Sequence, residues 1–248
     1  MISTSGHLEE LRQRLVVSFG SVFLFAAVSY FFAEEIARFF MTPLFLASPN
    51  LIKLVYTNLT EAFITYLKLS LLIGIIFSVP VLLYELWMFV APGLHANEKK
   101  IVLAIVFWAT LLFAAGACFA FFIVLPRVLH FFMGFSNPQL TPLPKLGGYL
   151  TFVARTSLAF GLAFEIPFLM VAAAKIGWVK RNYFFIKRKY AYLVMLLFSF
   201  LLGAGDLMAA ILLCLPLFAL YESGILIIRL FTREPDKPDS GETEASDL

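Results

Sequence analysis

The stretch LVVSFGSVFLFAAVSYFFA, residues 15–33, contains no charged side chain, and comparable runs recur down the rest of the chain. About 20 apolar residues cross a hydrocarbon core roughly 30 Å thick. In lipid, every backbone N–H and C=O must find its partner within its own segment or in a closed barrel. These runs lack the strict alternation of a barrel strand, so they specify helices. With 61% of its 248 residues hydrophobic and only 14% charged, the chain lies well outside the composition of soluble domains. It is expected to be an all-α, multi-spanning membrane protein.

Six spans are expected, near residues 15–33, 67–90, 101–125, 152–174, 190–202 and 207–228. Lys and Arg orient them. Thirteen fall on one side: Arg12, Arg14, Lys99, Lys100, six from Lys175 to Lys189, then Arg229, Arg233 and Lys237. Only Arg38, Lys53, Arg127 and Lys145 fall on the other, with Lys68 and Arg155 inside spans. Both termini are therefore expected in the cytoplasm. The long loops at 34–66 and 126–151 face outward, as short helices or caps on the membrane. Residues 1–233 form one membrane domain that includes an amphipathic segment at 5–14. The acidic tail at 234–248 reads as disordered. The mixed-charge start does not read as a cleaved signal peptide.

Spans five and six look short. Residues 190–205 reach about 24 Å and residues 207–221, before Glu222, about 22 Å at 1.5 Å per residue. Helices shorter than the bilayer thin it beside them or recruit neighbours, unless small tilt and snorkelling flanks absorb the difference.

Polar groups within the spans narrow the possible functions. Span four carries Arg155 near its outer end and Glu165 near its middle. A central ionised residue opposes insertion by about 2.5–3.5 kcal/mol. The span's ten Phe, Leu, Ile and Val residues favour insertion by only about 3–6 kcal/mol together. Glu165 therefore needs a partner. Ser157, Gly161 and Glu165 form one small-and-polar helical stripe, beside a bulky one of Phe160, Phe164 and Phe168, and Pro167 is expected to kink the helix. Two roles are open to Glu165: a polar cavity or docking face, or a neutral carboxyl bonded inside the bundle. In span two, Ser70, Gly74 and Ser78 read as a close-packing stripe. Glu85 and Glu222, near the cytoplasmic ends of their spans, are accounted for by interfacial solvation. Asp206 reads as the N-cap of span six.

Chemistry finds no foothold. The chain has no GxxxxGK[ST] phosphate loop, HExxH pair or GxSxG serine. Cys118 and Cys214 sit in apolar runs without metal spacing. No enzyme activity, cofactor, metal or nucleic-acid partner is expected.

The segment HLEELRQRL, residues 7–15, then raises its own question: two carboxylates stand at the entrance to hydrocarbon. Glu10 and Arg14 are spaced for an i, i+4 pair worth a few tenths of a kcal/mol, which by itself accounts for Glu10. Glu98 can sit against a helix dipole behind Asn97. Yet Glu10 and Glu98 are expected on the same face. There they can receive two guanidinium groups through charge-assisted forks that lysine does not reproduce.

HLEELRQRL, PVLLYELWMFVAPGLHANEKK, YLTFVARTSLAFGLAFEIPF and LFALYESGILIIRLF resemble, in order and spacing, the TatC family. These are membrane receptors of the twin-arginine protein export pathway. The resemblance spans residues 7–232, and the W-x-F-x-x-P-G-L-x-x-x-E run is fairly specific. It implies six spans, both termini inside, and an inner-membrane surface binding twin-arginine signal peptides of folded proteins. Glu10 and Glu98 would hold the two arginines, supported by Arg12, Leu15 and Phe89. Pro43 and Pro80 match sensitive structural positions, and Glu165 the family's intramembrane acid. The region around the short spans and Asp206 matches the docking site of single-span TatA- and TatB-type partners. The resemblance further implies self-association and energy from the proton gradient. Two departures stand out. Gly203-Ala204-Gly205-Asp206 replaces the usual Thr-Pro-Pro-Asp, which makes the turn more flexible, and Glu85 stands where Gln is common. The rival from another class is a proton-coupled small-solute transporter with Glu165 as relay.

Overall fold

The computed structural model describes residues 4–47, 54–56, 58, 60–90, 99–134, 143–175, 178–179, 182–203 and 205–231. Among these the fold is helical throughout, with one isolated parallel bridge between Val55 and Lys145. The helices are α1 (Thr4–Phe31), α2 (Ala33–Ala47), α3 (Glu61–Val90), α4 (Lys99–Phe119), α5 (Leu125–Met133), α6 (Leu146–Lys175), α7 (Tyr183–Ile186), α8 (Arg188–Leu202) and α9 (Leu207–Phe231). A five-residue π-helical stretch, Ala120–Val124, joins α4 to α5. The acidic tail at 234–248 lies outside the described residues.

The six expected spans correspond to α1, α3, α4 with α5, α6, α8 and α9. Five of them are long and apolar enough to cross a membrane. The sixth, α8, has 15 residues and reaches about 22 Å. α9 has 25 residues and continues through Glu222 to Phe231, so its uncharged part is short but the helix is not.

Several boundaries differ from the sequence reading: the first two spans begin earlier, at Leu8 and Glu61 rather than 15 and 67, and two further differences have a visible cause. The third span does not stop near residue 125 but runs on to Met133. Pro126 lacks an N–H and its ring crowds the preceding turn; the wider π turn just before it opens the ladder where that bond is missing. The fourth span begins at Leu146 rather than 152, through Gly147 and Gly148. A Cβ at Gly147 would lie 2.7 Å from Thr65 Oγ1, so glycine there lets the start of α6 press against α3.

Small residues decide which helices touch. A Cβ at Gly74 would lie 2.6 Å from the backbone nitrogen of Ala26, so α1 and α3 meet almost backbone to backbone. Ser70 and Ser78 flank that contact, buried, their hydroxyls donating to Tyr66 O and Ile75 O of their own helix. α4 and α6 interlock through two glycines: Gly116 lies under Phe160 O and the Phe164 ring, Gly161 under the Phe113 ring. Two apolar cores result. One gathers Phe40, Leu69, Phe121, Leu125 and Leu150 from α2, α3, the π stretch, α5 and α6. The other gathers Phe160, Met195, Leu213 and Leu217 from α6, α8 and α9.

α2, in the first long loop, is anchored rather than loose. Phe40 O accepts a 2.8 Å bond from the buried Tyr149 hydroxyl of α6, and Pro43 and Leu44 are fully buried. α1 is peripheral and turns Phe19, Phe23 and Phe31 outward. In a membrane that apolar face meets lipid instead of water.

Candidate functional site

α1 and α3 run antiparallel from their close contact at Ala26 and Gly74. Arg14 lies about 18 Å along α1 from Ala26, and Glu85 about 16 Å along α3 from Gly74, at 1.5 Å per residue. The two side chains therefore reach the same membrane face at nearly the same height. There Arg14 Nη1 donates to Glu85 Oε2 at 3.0 Å. On its other side Arg14 donates to Glu10 Oε1, through Nη2 at 2.5 Å and Nε at 3.1 Å. One guanidinium thus bridges two carboxylates.

Exposure grades across this triad. The Glu85 and Arg14 side chains are 15% and 19% exposed, whereas Glu10 is 37% exposed. Arg14 engages Oε1 alone of the two Glu10 oxygens. Arg12 does not join the triad; its Nη2 pairs with Glu9 Oε1 at 2.8 Å on the solvent side, 73% exposed. Leu15 is exposed and Phe89 is half-buried near the end of α3. Glu98, the second expected arginine-binding carboxylate, lies outside the described residues.

The sequence reading foresaw the Glu10–Arg14 pair but not its extension. Glu85 and Glu222 are not satisfied by interfacial solvation alone. Glu222 Oε2 accepts from Arg188 Nη2 at 2.6 Å, and its other oxygen accepts from the Tyr192 hydroxyl. The Phe185 ring lies within 4.8 Å of the Arg188 guanidinium and 4.4 Å of that of Arg229. A charge low on one span, opposite a charge low on a neighbouring one, was the available signal in both cases. Only the helix pairing, which the sequence does not state, selects the partner.

Within the membrane, the stripe of Ser157, Gly161 and Glu165 faces into the bundle, all three buried. Glu165 is 5% exposed and is the one buried carboxylate among the described residues. Its Oε1 has no hydrogen-bond partner, and neither have Ser157 Oγ and Thr156 Oγ1 above it. Asp206 lies at the other face, where Ala209 N donates to its Oδ1 at 2.8 Å across the first turn of α9. The turn before it closes through Gly203 N to Ser199 O and Gly205 N to Phe200 O. Pro43 is buried within α2, and Pro80 sits exposed within α3. No cluster of three His, Cys, Asp or Glu among the described residues is placed to hold a metal.

Comparison with known proteins covers both sequence and fold. The family model described as Sec-independent protein translocase protein (TatC) matches residues 6–216. A Sec-independent protein translocase protein TatC from Desulforapulum autotrophicum is 39% identical over 242 residues, 98% of this chain and 90% of that protein. One from Campylobacter jejuni is 36% identical, over 95% of this chain and 97% of its own. A crystal structure titled as the twin arginine translocase receptor TatC superposes with a TM-score of 0.82 at 33% identity, covering 92% of this chain and all of that one. The chain belongs to the TatC family, whose members are membrane components of a Sec-independent protein translocase and so transport proteins rather than enzymes of small-molecule chemistry.

Proposed function

We propose that this chain is the receptor and core subunit of a twin-arginine export system, capturing the signal peptides of folded precursors at the membrane face that carries Glu10. Glu10 and Glu98 each take one guanidinium of the arginine pair, and Arg12, Leu15 and Phe89 shape the surface around them. That face is cytoplasmic and the membrane is the inner one, with residues 1–233 acting as a single domain separate from the acidic segment 234–248. Single-span TatA- and TatB-type partners dock on α8 and α9, next to Asp206, and Glu165 offers them or the bound signal a polar contact inside the bilayer. Pro43 and Pro80 serve the scaffold, copies of the chain self-associate, and the proton gradient supplies the energy.

The observation that supports this reading is the incomplete neutralisation of Glu10. Its carboxylate is partly exposed and bonded through one oxygen to a cation that it shares with Glu85. A net acidic group half open to the aqueous face suits a cationic ligand. Guanidinium presents its N–H donors in one fixed plane and can aim them at the open oxygen, a directed contact that the point charge of an ammonium does not reproduce.

The test is peptide binding to the purified full chain in detergent or nanodiscs. A twin-arginine signal peptide is expected to bind, a twin-lysine counterpart to bind at least tenfold more weakly, and Glu10→Arg to abolish capture. Equal binding of the two peptides, or full binding by Glu10→Arg, overturns the proposal.

A further inference from the structure

We infer that Glu85 is a specificity-determining positioning residue: it holds Arg14 away from one oxygen of Glu10 and so keeps that oxygen open to a ligand guanidinium. The inference rests on the arginine-binding reading of Glu10 given above and adds a residue to it.

An arginine four residues beyond a glutamate on the same helix face has a simple alternative available. It can lay its fork flat across both carboxylate oxygens. Glu10 would then be capped by its own chain, and an arriving guanidinium would first have to displace Arg14. The triad does not have that geometry. Arg14 turns Nη1 to Glu85 Oε2 at 3.0 Å, and its remaining engaged donors, Nε and Nη2, converge on Glu10 Oε1. Three of its five N–H donors are thus committed, and the plane of the fork is fixed by two carboxylates on two helices.

Charge works in the same direction. Two carboxylates share one guanidinium, which leaves one negative charge in the triad. The surplus is expressed where exposure is greatest, at Glu10, since Glu85 and Arg14 are each less than one-fifth exposed. A neutral acceptor at 85 would remove that surplus and hold Arg14 by a weaker bond to an uncharged oxygen, leaving its fork freer to turn toward Glu10. Glu85 therefore never needs to touch the ligand. It acts through Arg14.

The experiment uses the full chain in nanodiscs with a synthetic twin-arginine signal peptide, titrated at low and high salt. Glu85→Gln is expected to weaken binding about tenfold at low salt and to flatten its salt dependence, because one charge is lost from the site. Glu85→Asp is expected to stay within about threefold of the parent. In an Arg14→Gln background nothing caps Glu10, so adding Glu85→Gln should change affinity less than twofold at high salt, where the lost charge is screened. This double variant leaves one unpaired charge, on the partly exposed Glu10, as Arg14→Gln alone also does; read against that single variant, it carries the comparison if Glu85→Gln alone does not fold. Unchanged affinity in Glu85→Gln, or a loss that leaves the salt dependence intact, overturns the inference. So does a tenfold further loss in the double variant. Glu10→Gln separates the two levels: if it binds like the parent, the receptor reading beneath the inference fails instead.

Discussion

Arg14 and Glu85, seventy-one positions apart in the chain, join α1 to α3 by a 3.0 Å bond at the membrane face. It is the polar end of a helix pair whose middle is held by Gly74 against Ala26. Because Arg14 is only 19% exposed, removing its charge strands two partly shielded carboxylates. Arg14→Gln is expected to destabilise the chain in detergent by about 1–2 kcal/mol, below the 3–5 kcal/mol of a fully buried pair because water still reaches Glu10. Thermal unfolding of Arg14→Gln, of Glu85→Gln and of the double variant checks it: the double variant should lose less than the two single losses together. If the two losses simply add, the ion pair is not coupled.

The α1–α3 contact makes a sharper prediction. Gly74→Ala puts a methyl group 2.6–2.7 Å from the backbone of Ala26, which no side-chain rotation relieves. A cost of about 1–3 kcal/mol is expected from the forced separation. Gly20, on the same helix as Ala26, has nothing within 4 Å of its added Cβ, so Gly20→Ala is expected to be neutral or slightly stabilising. The two variants measured side by side in one detergent separate packing from helix propensity. Equal unfolding midpoints would rule out the close contact.

How far the sequence alone reaches can be judged from these residues. Six spans were legible because the bilayer sets their length and forbids charge within it, and the Ser70, Gly74, Ser78 stripe announced a close helix neighbour. It did not say which helix. Glu10 with Arg14 was visible because i, i+4 spacing is local, whereas Glu85 was not, because its partner is chosen by tertiary pairing. The third span was expected to stop at 125, just before Pro126, and the π turn that lets the helix continue past that proline has no simple sequence signature. Glu165 stood out at once, since an acid in hydrocarbon is rare and costly, but its unpartnered Oε1 is known only from packing.

At the turn between α8 and α9, Gly205 takes φ of 85°, a left-handed conformation in which its N–H reaches Phe200 O. A side chain there clashes with the backbone. Gly205→Ala is expected to cost about 1 kcal/mol, and Gly205→Asn less, since Asn tolerates this region better. Neither residue meets a crowded neighbour, because the nearest atom to an added Cβ is a Phe200 ring carbon at 3.8 Å. A larger loss in Asn than in Ala, read by thermal unfolding, would mean that space rather than backbone conformation governs the site.

Glu165 sets stability against function. It is 5% exposed, and one oxygen lacks a partner. A buried polar atom without a bond destabilises a fold by about 1–3 kcal/mol relative to one that is satisfied. Glu165→Leu, of similar length and apolar, removes that burden, and the isolated chain is expected to unfold at higher temperature, by the equivalent of about 1–2 kcal/mol. The same variant is expected to lose export of a twin-arginine reporter protein, since the proposed polar contact inside the bilayer is gone. Glu165→Gln keeps hydrogen-bonding capacity without charge and should fall between the two in export. A residue kept in place at the expense of stability signals use rather than scaffolding. The sign of the Glu165→Leu shift decides the matter: a lower unfolding temperature would mean that the carboxyl is already satisfied within the bundle and serves the fold.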